Sequence, residues 1–469
     1  VLTEQTPGAT TDGGWVDELL LAGPDRQRCL ALEAAVDRGT LRAAVADRQR
    51  ELTAAGLRPG GTVALRLPPS TAYLIDLLAA WRAGAQVTLL DHRLTDHEVD
   101  RALGRVAPQL VVRNGQPVRG PLRSWFPAEG VIETYPGRPA GTDHVLIQLS
   151  SGSTGPSKCI GRTVASLRDE LARYRGIEGM AGPGERVVVL ASLVHVLGLV
   201  GGLLHSLHTG IELAVPPKLT VDAILRTVAA RPEPTLLLGV PSQAELLTAV
   251  AEPPALPQLT RMVTGGEPVR DPLWERFTDR YGTTLGSMYG MTETGVIATD
   301  IFGAHRPSLA PAPGLRIRES GGELLVSVPA DPYVGLSDPT RWHDGWLHTR
   351  DAGRVDELTG RVTVHSRLDS QVSIGGLKVD LTEVEQTIGG APGVTSAVVV
   401  YDAGIRAYVA VEPGADPTAL DALLARELAA YKRPREIHLL PAIPLTATGK
   451  LLRDPAALRA AATQPAAVR

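Results

Sequence analysis

Cysteine is scarce: Cys29 and Cys159 are the only two in 469 residues. That excludes a disulfide framework and a cysteine-based zinc site, and it suits a reducing cytoplasm. The chain starts without the basic-then-apolar pattern of a secretory leader, in line with that expectation. Lysine is almost as rare, with Lys158, Lys218, Lys378, Lys432 and Lys450 making up the whole set. A lysine inside a motif is therefore less easily there by chance. No long basic block occurs and the net charge is −4, so nucleic acid is excluded as an expected partner. Long apolar runs are few, and only 187–204 raises a membrane-span question. It holds Ser192, His195 and three glycines after the turn Pro183-Gly184-Glu185-Arg186, which reads as buried strand, turn and buried helix. No membrane span is expected.

What is present is enough for more than one core. A chain of 469 residues with 43% hydrophobic content should divide into two or more domains. Helical spacing runs over 40–55, followed by a strand at 62–67, a helix at 71–82, a strand at 86–90 and a helix from Thr95. Apolar runs recur at Leu110-Val111-Val112, 187–191, Leu236-Leu237-Leu238 and Met262-Val263. This alternation predicts parallel sheets covered by helices, with ligands beyond the carboxyl ends of the strands. After Arg367 the elements shorten to a helix at 381–388, strands at 394–401 and 405–411, a helix at 417–430 and a strand at 437–440. The expected fold class is α/β: a large N-terminal domain of helix-covered sheets over 1–367 and a small α+β C-terminal domain over 368–469. The Ala/Arg-rich tail from Ala456 is expected to fray.

The chemistry starts at Ser150-Ser151-Gly152-Ser153-Thr154-Gly155-Pro156-Ser157-Lys158, after the strand-like Val145-Leu146-Ile147-Gln148-Leu149. Glycines let backbone N–H groups approach an anion, and hydroxyls and one ammonium add to them, which suits a polyphosphate. It is not a Walker A loop, because Pro156-Ser157 separates Gly155 from the lysine and Cys159 follows it. Alone, such a loop is more often a surface turn. Further motifs follow in order: Gly265-Gly266-Glu267, Tyr289-Gly290-Met291-Thr292-Glu293-Thr294, Gly345-Trp346-Leu347-His348-Thr349-Arg350-Asp351, Ser366-Arg367-Leu368-Asp369 and Pro444-Leu445-Thr446-Ala447-Thr448-Gly449-Lys450.

This ordered set resembles the adenylate-forming superfamily of acyl-CoA and aryl-CoA synthetases, peptide-synthetase adenylation domains and luciferase. The resemblance covers nearly the whole chain, including Arg82-Ala83-Gly84-Ala85 followed by Leu90-Asp91. It implies an acid–thiol ligase: ATP and a carboxylic acid give an acyl-adenylate and pyrophosphate, then a thiol displaces AMP. It also implies that Ser150, Ser151, Gly152, Ser153, Thr154, Gly155 and Lys158 wrap the β- and γ-phosphates. Tyr289 and Gly290 would take adenine, with Gly266 and Glu267 counted among the nucleotide-site residues, and Asp351 and Arg367 would meet the ribose. Thr292 would touch the α-phosphate and Glu293 would hold Mg²⁺. Lys450 would bridge the substrate carboxylate and the α-phosphate, where charge builds in the transition state. Asp369 sits where the family places a hinge, which makes the small domain mobile.

Four departures stand out: Cys159 for the usual glycine, the altered order Pro156-Ser157, Arg350 for the glycine before Asp351, and Ser373 for a lysine used in the second half-reaction. His195 with apolar neighbours points to a neutral acyl or aryl acid rather than an amino acid, and Gly239 and Gly265 are expected to line its pocket. The acceptor stays open between coenzyme A, a carrier-protein phosphopantetheine and an amine, with thioester formation favoured. A non-catalytic nucleotide-binding relative and a phosphotransferase releasing ADP are the competing readings.

Overall fold

The computed structural model describes residues 12–116, 123–150, 158–269, 271–335, 338–412, 417–444 and 451–463. The chain forms two compact units, 1–92 with 106–149 and 159–366, and 93–105 with 150–158 and 367–469.

Two sheets dominate the first unit. A six-stranded sheet runs in the order Gly130–Thr134, Leu110–Asn114, Thr62–Arg66, Gln86–Leu89, Leu146–Ser150 and Lys158–Arg162. Its Thr62–Arg66 strand pairs in parallel with both neighbours. A nine-stranded sheet places Gly295–Asp300, Thr284–Met291, Leu259–Gly265, Thr235–Gly239, Arg186–Val189 and Glu212–Ala214 side by side, with parallel pairing from Thr284–Met291 inward. Strands in such sheets are covered on both faces, and Val187, Val188, Leu236, Leu237, Leu238, Met262 and Val263 are all fully buried. The helix Thr71–Arg82 shows why the periodicity was readable. Ser70 caps it by accepting from the Tyr73 N–H at 3.0 Å, and Leu74, Leu77, Leu78 and Trp81 form its buried stripe.

The apolar stretch resolves into the strand Arg186–Val189, a turn holding Ser192 and His195, and a π-helix over Leu197–Leu204. Among the described residues no helix is long and apolar enough to cross a membrane. The π-helix is tightly seated: a side chain at Gly198 would meet the Ser192 carbonyl at 2.3 Å, and one at Gly201 the Tyr174 hydroxyl at 2.6 Å. Just beyond it, His205 is 1% exposed and its Nε2–H donates to the Ala181 carbonyl at 2.9 Å. Burial pulls its pKa down to about 4 from 6.5, against the Ala181 bond that raises it. The unfolded chain takes up this proton near pH 6.5 and the folded chain only near 4, so the neutral ring's contribution is complete above that window and lost on acidification. Between pH 7 and 4 this group should remove about 3 kcal/mol of stability. His205→Gln should flatten the pH dependence of the urea midpoint by a corresponding amount. An unchanged slope would refute the assignment.

One sheet differs from the parallel pattern read in the sequence. Ile317–Ser320, Glu323–Ser327, Trp346–Val355 and Trp342–His343 form an antiparallel sheet, joined by Val362–Arg367. Most of its strands follow one another through glycine turns, at Gly321-Gly322, Gly345 and Gly360, all at positive φ, and no helix occurs among the described residues of the 328–341 segment that joins the remaining two.

The second unit contains the hairpin Gln371–Ile374 with Leu377–Asp380, the sheet Val394–Tyr401, Ile405–Val411 and Glu436–Leu440, and helices Leu381–Gly389, Pro417–Glu427 and Pro455–Thr463. Val379, Val384, Ile388, Val399, Ala407, Val409 and Leu424 make its core. Instead of fraying from Ala456, the chain forms the last of these helices, because Leu458 is buried against Val398, Val400 and Tyr408. The Pro417–Glu427 helix stops short of 430, where Arg433 Nε donates to the Leu428 carbonyl at 2.8 Å. Residues 93–105 belong to this unit. Lys432 Nζ lies 2.8 Å from Glu98 Oε1 and 3.2 Å from both oxygens of Glu383. Burial opposes the lysine's charge, but Glu383 and Glu98 more than offset it and raise its pKa.

Candidate active site

The carboxyl ends of the parallel strands collect most of the first unit's candidate residues. Gly239 pairs with Thr264 on the next strand, and Gly265 pairs with Met288 on the one after. Both glycines are closely approached, Gly239 more so than Gly265. A side chain at Gly239 would meet Gln243 Oε1 at 2.5 Å, and one at Gly265 would meet Leu197 and the Met288 carbonyl at 3.2 Å. Gly266 turns the chain at φ +90, and Glu267 follows, half-buried. Gln243 is fixed in turn: its Oε1 accepts from the Val240 N–H at 2.9 Å and its amide donates to the Leu190 carbonyl at 2.8 Å.

Thr292 and Glu293 occupy the turn between antiparallel strands Thr284–Met291 and Gly295–Asp300. Gly290 is required here, since a side chain on it would meet the Gly295 carbonyl at 2.6 Å. On one flank the Tyr289 hydroxyl donates to Asp351 Oδ2 at 2.7 Å. Asp351 is itself held at its backbone, where its N–H donates to Thr349 Oγ1 at 3.0 Å. On the other flank the Tyr333 hydroxyl donates to Glu293 Oε1 at 3.0 Å. Burial, then the neighbouring Glu293 charge, raises the Tyr333 phenol, so it remains a donor.

The turn is also held from behind. Arg162 and Glu170 form an ion pair at 2.7 Å with side chains 2% and 0% exposed. Glu170 Oε1 accepts from the Val296 N–H at 3.2 Å, and Arg173 donates to the Thr294 carbonyl at 3.0 Å. Burial lowers the Arg173 pKa, with Glu170 acting in the opposite direction. Gly295, at φ +78, lies so near Glu170 that a Cβ would stand 1.9 Å from its Oε1.

His195 sits near the buried Asp91, Nε2 to Oδ2 at 3.6 Å, with His92 Nδ1 at 3.5 Å from the other oxygen. Its loop is anchored by buried side chains: Tyr73 donates to the Leu193 carbonyl at 3.1 Å and Gln148 to the Val194 carbonyl at 2.7 Å. Arg350 adopts φ +61, the left-handed region that glycine would occupy without strain. Its N–H donates to Glu323 Oε1 at 2.8 Å and its guanidinium to the Thr340 carbonyl at 2.7 Å. Of these, only the guanidinium bond is particular to an arginine. Cys159 is 8% exposed.

In the second unit, Arg367 makes a forked pair with Asp369, at 3.0 and 2.7 Å. Ser373 lies opposite Lys378 in the hairpin turned by Gly375-Gly376. Lys158 also belongs to this unit. Ser150 closes the strand Leu146–Ser150, whereas Ser151, Gly152, Ser153, Thr154, Gly155 and Lys450 lie outside the described residues.

Tyr333, Arg162, Glu170 and Arg173 did not emerge from the sequence. Tyr333, Glu170 and Arg173 act across long chain separations, Arg162 acts through Glu170, and none lies in a recurrent motif apart from the strand that continues the Ser/Gly loop.

A profile described as AMP-binding enzyme matches residues 40–321, and one described as AMP-binding enzyme C-terminal domain matches 383–450. The chain belongs to the AMP-binding enzyme family. Feruloyl-CoA synthase from an Amycolatopsis species is 30% identical over 86% of this chain and 89% of its own. Fatty acid–[acyl-carrier-protein] ligase from Streptomyces coeruleorubidus is 29% identical over 86% and 87%. Among solved structures, o-succinylbenzoate CoA synthetase from Bacillus subtilis has a TM-score of 0.79 at 22% identity, covering 94% of this chain and 96% of that one. Amide bond synthetase McbA from Marinactinospora thermotolerans reaches 0.78 at 22%, covering 96% and 99%. At such identities the structures speak for the fold.

This AMP-binding enzyme activates a carboxylic acid with ATP, a reaction for which Mg²⁺ is the usual companion cation. The donors on the turn fit that pair. Glu293 carries a carboxylate of the kind that would suit a hard cation, with Oε1 accepting from the Tyr333 hydroxyl. Among the described residues no cluster of three or more His, Cys, Asp or Glu forms a separate metal cage. Tyr289 offers an aromatic face beside a carboxylate suited to ribose hydroxyls.

Proposed function

We propose that this enzyme adenylates a neutral acyl or aryl acid and passes it to coenzyme A or a carrier-protein phosphopantetheine in the cytoplasm. The observation that carries the residue assignment is the turn at Thr292-Glu293, flanked by Tyr289–Asp351 on one side and Tyr333–Glu293 on the other. Nucleotide recognition and metal recognition are thereby adjacent. In this reading the substrate carboxylate attacks the α-phosphorus, pyrophosphate leaves, and a thiol then expels AMP from the acyl-adenylate. Thr292 Oγ1 and the Lys450 ammonium meet the charge that develops on the α-phosphate oxygens. Bound Mg²⁺, held by Glu293, would offset phosphate charge. Ser150, Ser151, Gly152, Ser153, Thr154, Gly155 and Lys158 cradle the phosphates, and Gly266, Glu267 and Gly290 border the nucleotide. Arg367 is assigned to the ribose alongside Asp351. Along the chain the domains are read as 1–367 and 368–469 with the hinge near Asp369, a division that differs from the compact units in leaving 93–105 and 150–158 with the larger part.

The acid is assigned as neutral because Asp91, the nearby carboxylate, is buried between two imidazoles instead of being presented to an ammonium group. His195, Gly239 and Gly265 border the acyl pocket. Feruloyl-CoA synthase and the fatty acid–carrier-protein ligase, both named for acids without an ammonium group, support this class. Ser373, in place of a lysine, favours keeping one second reading: an amine as acceptor, the reaction named for the amide bond synthetase.

Acid-dependent exchange of pyrophosphate into ATP should appear with aryl or acyl carboxylates and not with amino acids, accompanied by AMP rather than ADP. No exchange across a broad acid panel would refute the proposal. Supplying coenzyme A, a holo carrier protein or an amine to an exchanging acid then decides the acceptor.

A further inference from the structure

We propose that Tyr333 is a positioning residue for the metal-binding carboxylate, fixing Glu293 Oε1 so that the other oxygen is presented to the cation. The inference rests on the reading of Glu293 as the metal ligand.

The geometry leaves Tyr333 little freedom. It is 5% exposed, and its ring packs with Ile160 and Leu347. Its backbone is stitched to the strand that follows the Ser/Gly loop, with Gly161 N–H donating to the Pro332 carbonyl at 2.8 Å and Val334 N–H to the Cys159 carbonyl at 2.8 Å. The Tyr333 N–H donates to Asp331 Oδ1 at 2.9 Å. A phenol held this firmly orients the carboxylate it touches. A glutamate on a turn has several rotatable bonds, and ordering them at the moment of metal binding would weaken the site. Here the hydrogen bond does the ordering beforehand, as partners of metal ligands commonly do. The same short strand also supplies Arg162, whose partner Glu170 accepts from Val296 N–H behind the turn. The strand leaving the Ser/Gly loop therefore supports this turn in two ways, through Tyr333 at the Glu293 carboxylate and through Arg162 and Glu170 at the Val296 backbone.

The experiment uses the full chain, a non-hydrolysable ATP analogue and Mn²⁺ as a paramagnetic probe, with free Mn²⁺ read by its electron spin resonance signal. Tyr333→Phe keeps the packed ring and removes the donor. Its Mn²⁺ affinity in the presence of nucleotide should fall about tenfold. Nucleotide affinity without metal should be unchanged, and the double variant with Glu293→Gln should bind no more weakly than Glu293→Gln alone. Mn²⁺ binding by Tyr333→Phe equal to the wild type, while Glu293→Gln binds weakly, overturns the role of Tyr333 and leaves Glu293 as ligand. Unchanged binding by Glu293→Gln overturns the ligand assignment itself.

Discussion

Replacing Lys450 by alanine should reduce acid-dependent pyrophosphate exchange by at least about a hundredfold, the scale seen when one preorganised donor to a developing oxyanion is removed. The argument starts from scarcity, since one of only five lysines closes a Pro-x-Thr-x-x-Gly-Lys segment at the end of the matched C-terminal region. An ammonium there acts on charge that appears only as the carboxylate attacks phosphorus, so kcat should fall more than ATP affinity. The deficit should be confined to the first half-reaction. A synthetic acyl-adenylate supplied to Lys450→Ala should still yield thioester and AMP. Exchange by this variant near the wild-type rate would remove Lys450 from the mechanism.

Glu170→Ala should strongly destabilise the protein. It leaves the Arg162 guanidinium, 2% exposed, without its carboxylate, and it removes the acceptor of the Val296 N–H. Stranding one member of a buried pair costs about 3–5 kcal/mol. Urea midpoints should therefore move sharply, and Glu170→Gln, which keeps an acceptor for Val296, should lose less. A loss below about 1 kcal/mol, the level of a solvent-exposed pair, would contradict the buried geometry. The variant should also bind Mg²⁺ more weakly, because the backbone of the Glu293 turn loses its support from behind.

The parts of the molecule that the sequence discloses are those with local periodicity or sparse chemistry. The helix at Thr71–Arg82 and the strand at Gln86–Leu89 follow directly from spacing and flanking turns. Tyr289, Glu293 and Asp351 stand in recognisable motifs, and the structure adds that Tyr289 bonds to Asp351. The supporting residues are not legible in this way. Glu170 looks like an ordinary charge on an amphipathic helix, yet its partners are Arg162 and a backbone amide in a strand far along the chain. Tyr333 lies in an irregular segment with no period at all, and only the bridge to Ile160 brings it to Glu293. The antiparallel sheet at 317–367 is not legible in the sequence because its strands are joined by glycine turns and one irregular segment rather than by helices. A sequence states which side chains carry chemistry more readily than which ones hold them still.

The membership of residues 93–105 in the second unit affects how the protein can be dissected. A fragment beginning at Arg367 would contain Lys432 and Glu383 but not Glu98, so one of the lysine's two counter-charges would be missing. It would also lack Arg93, whose guanidinium lies 5.5 Å from the Tyr431 ring centre. Excising the C-terminal piece at a single cut therefore yields something less stable than the same piece in the intact polypeptide. Grafting it onto a different enzyme requires carrying the 93–105 segment along as well.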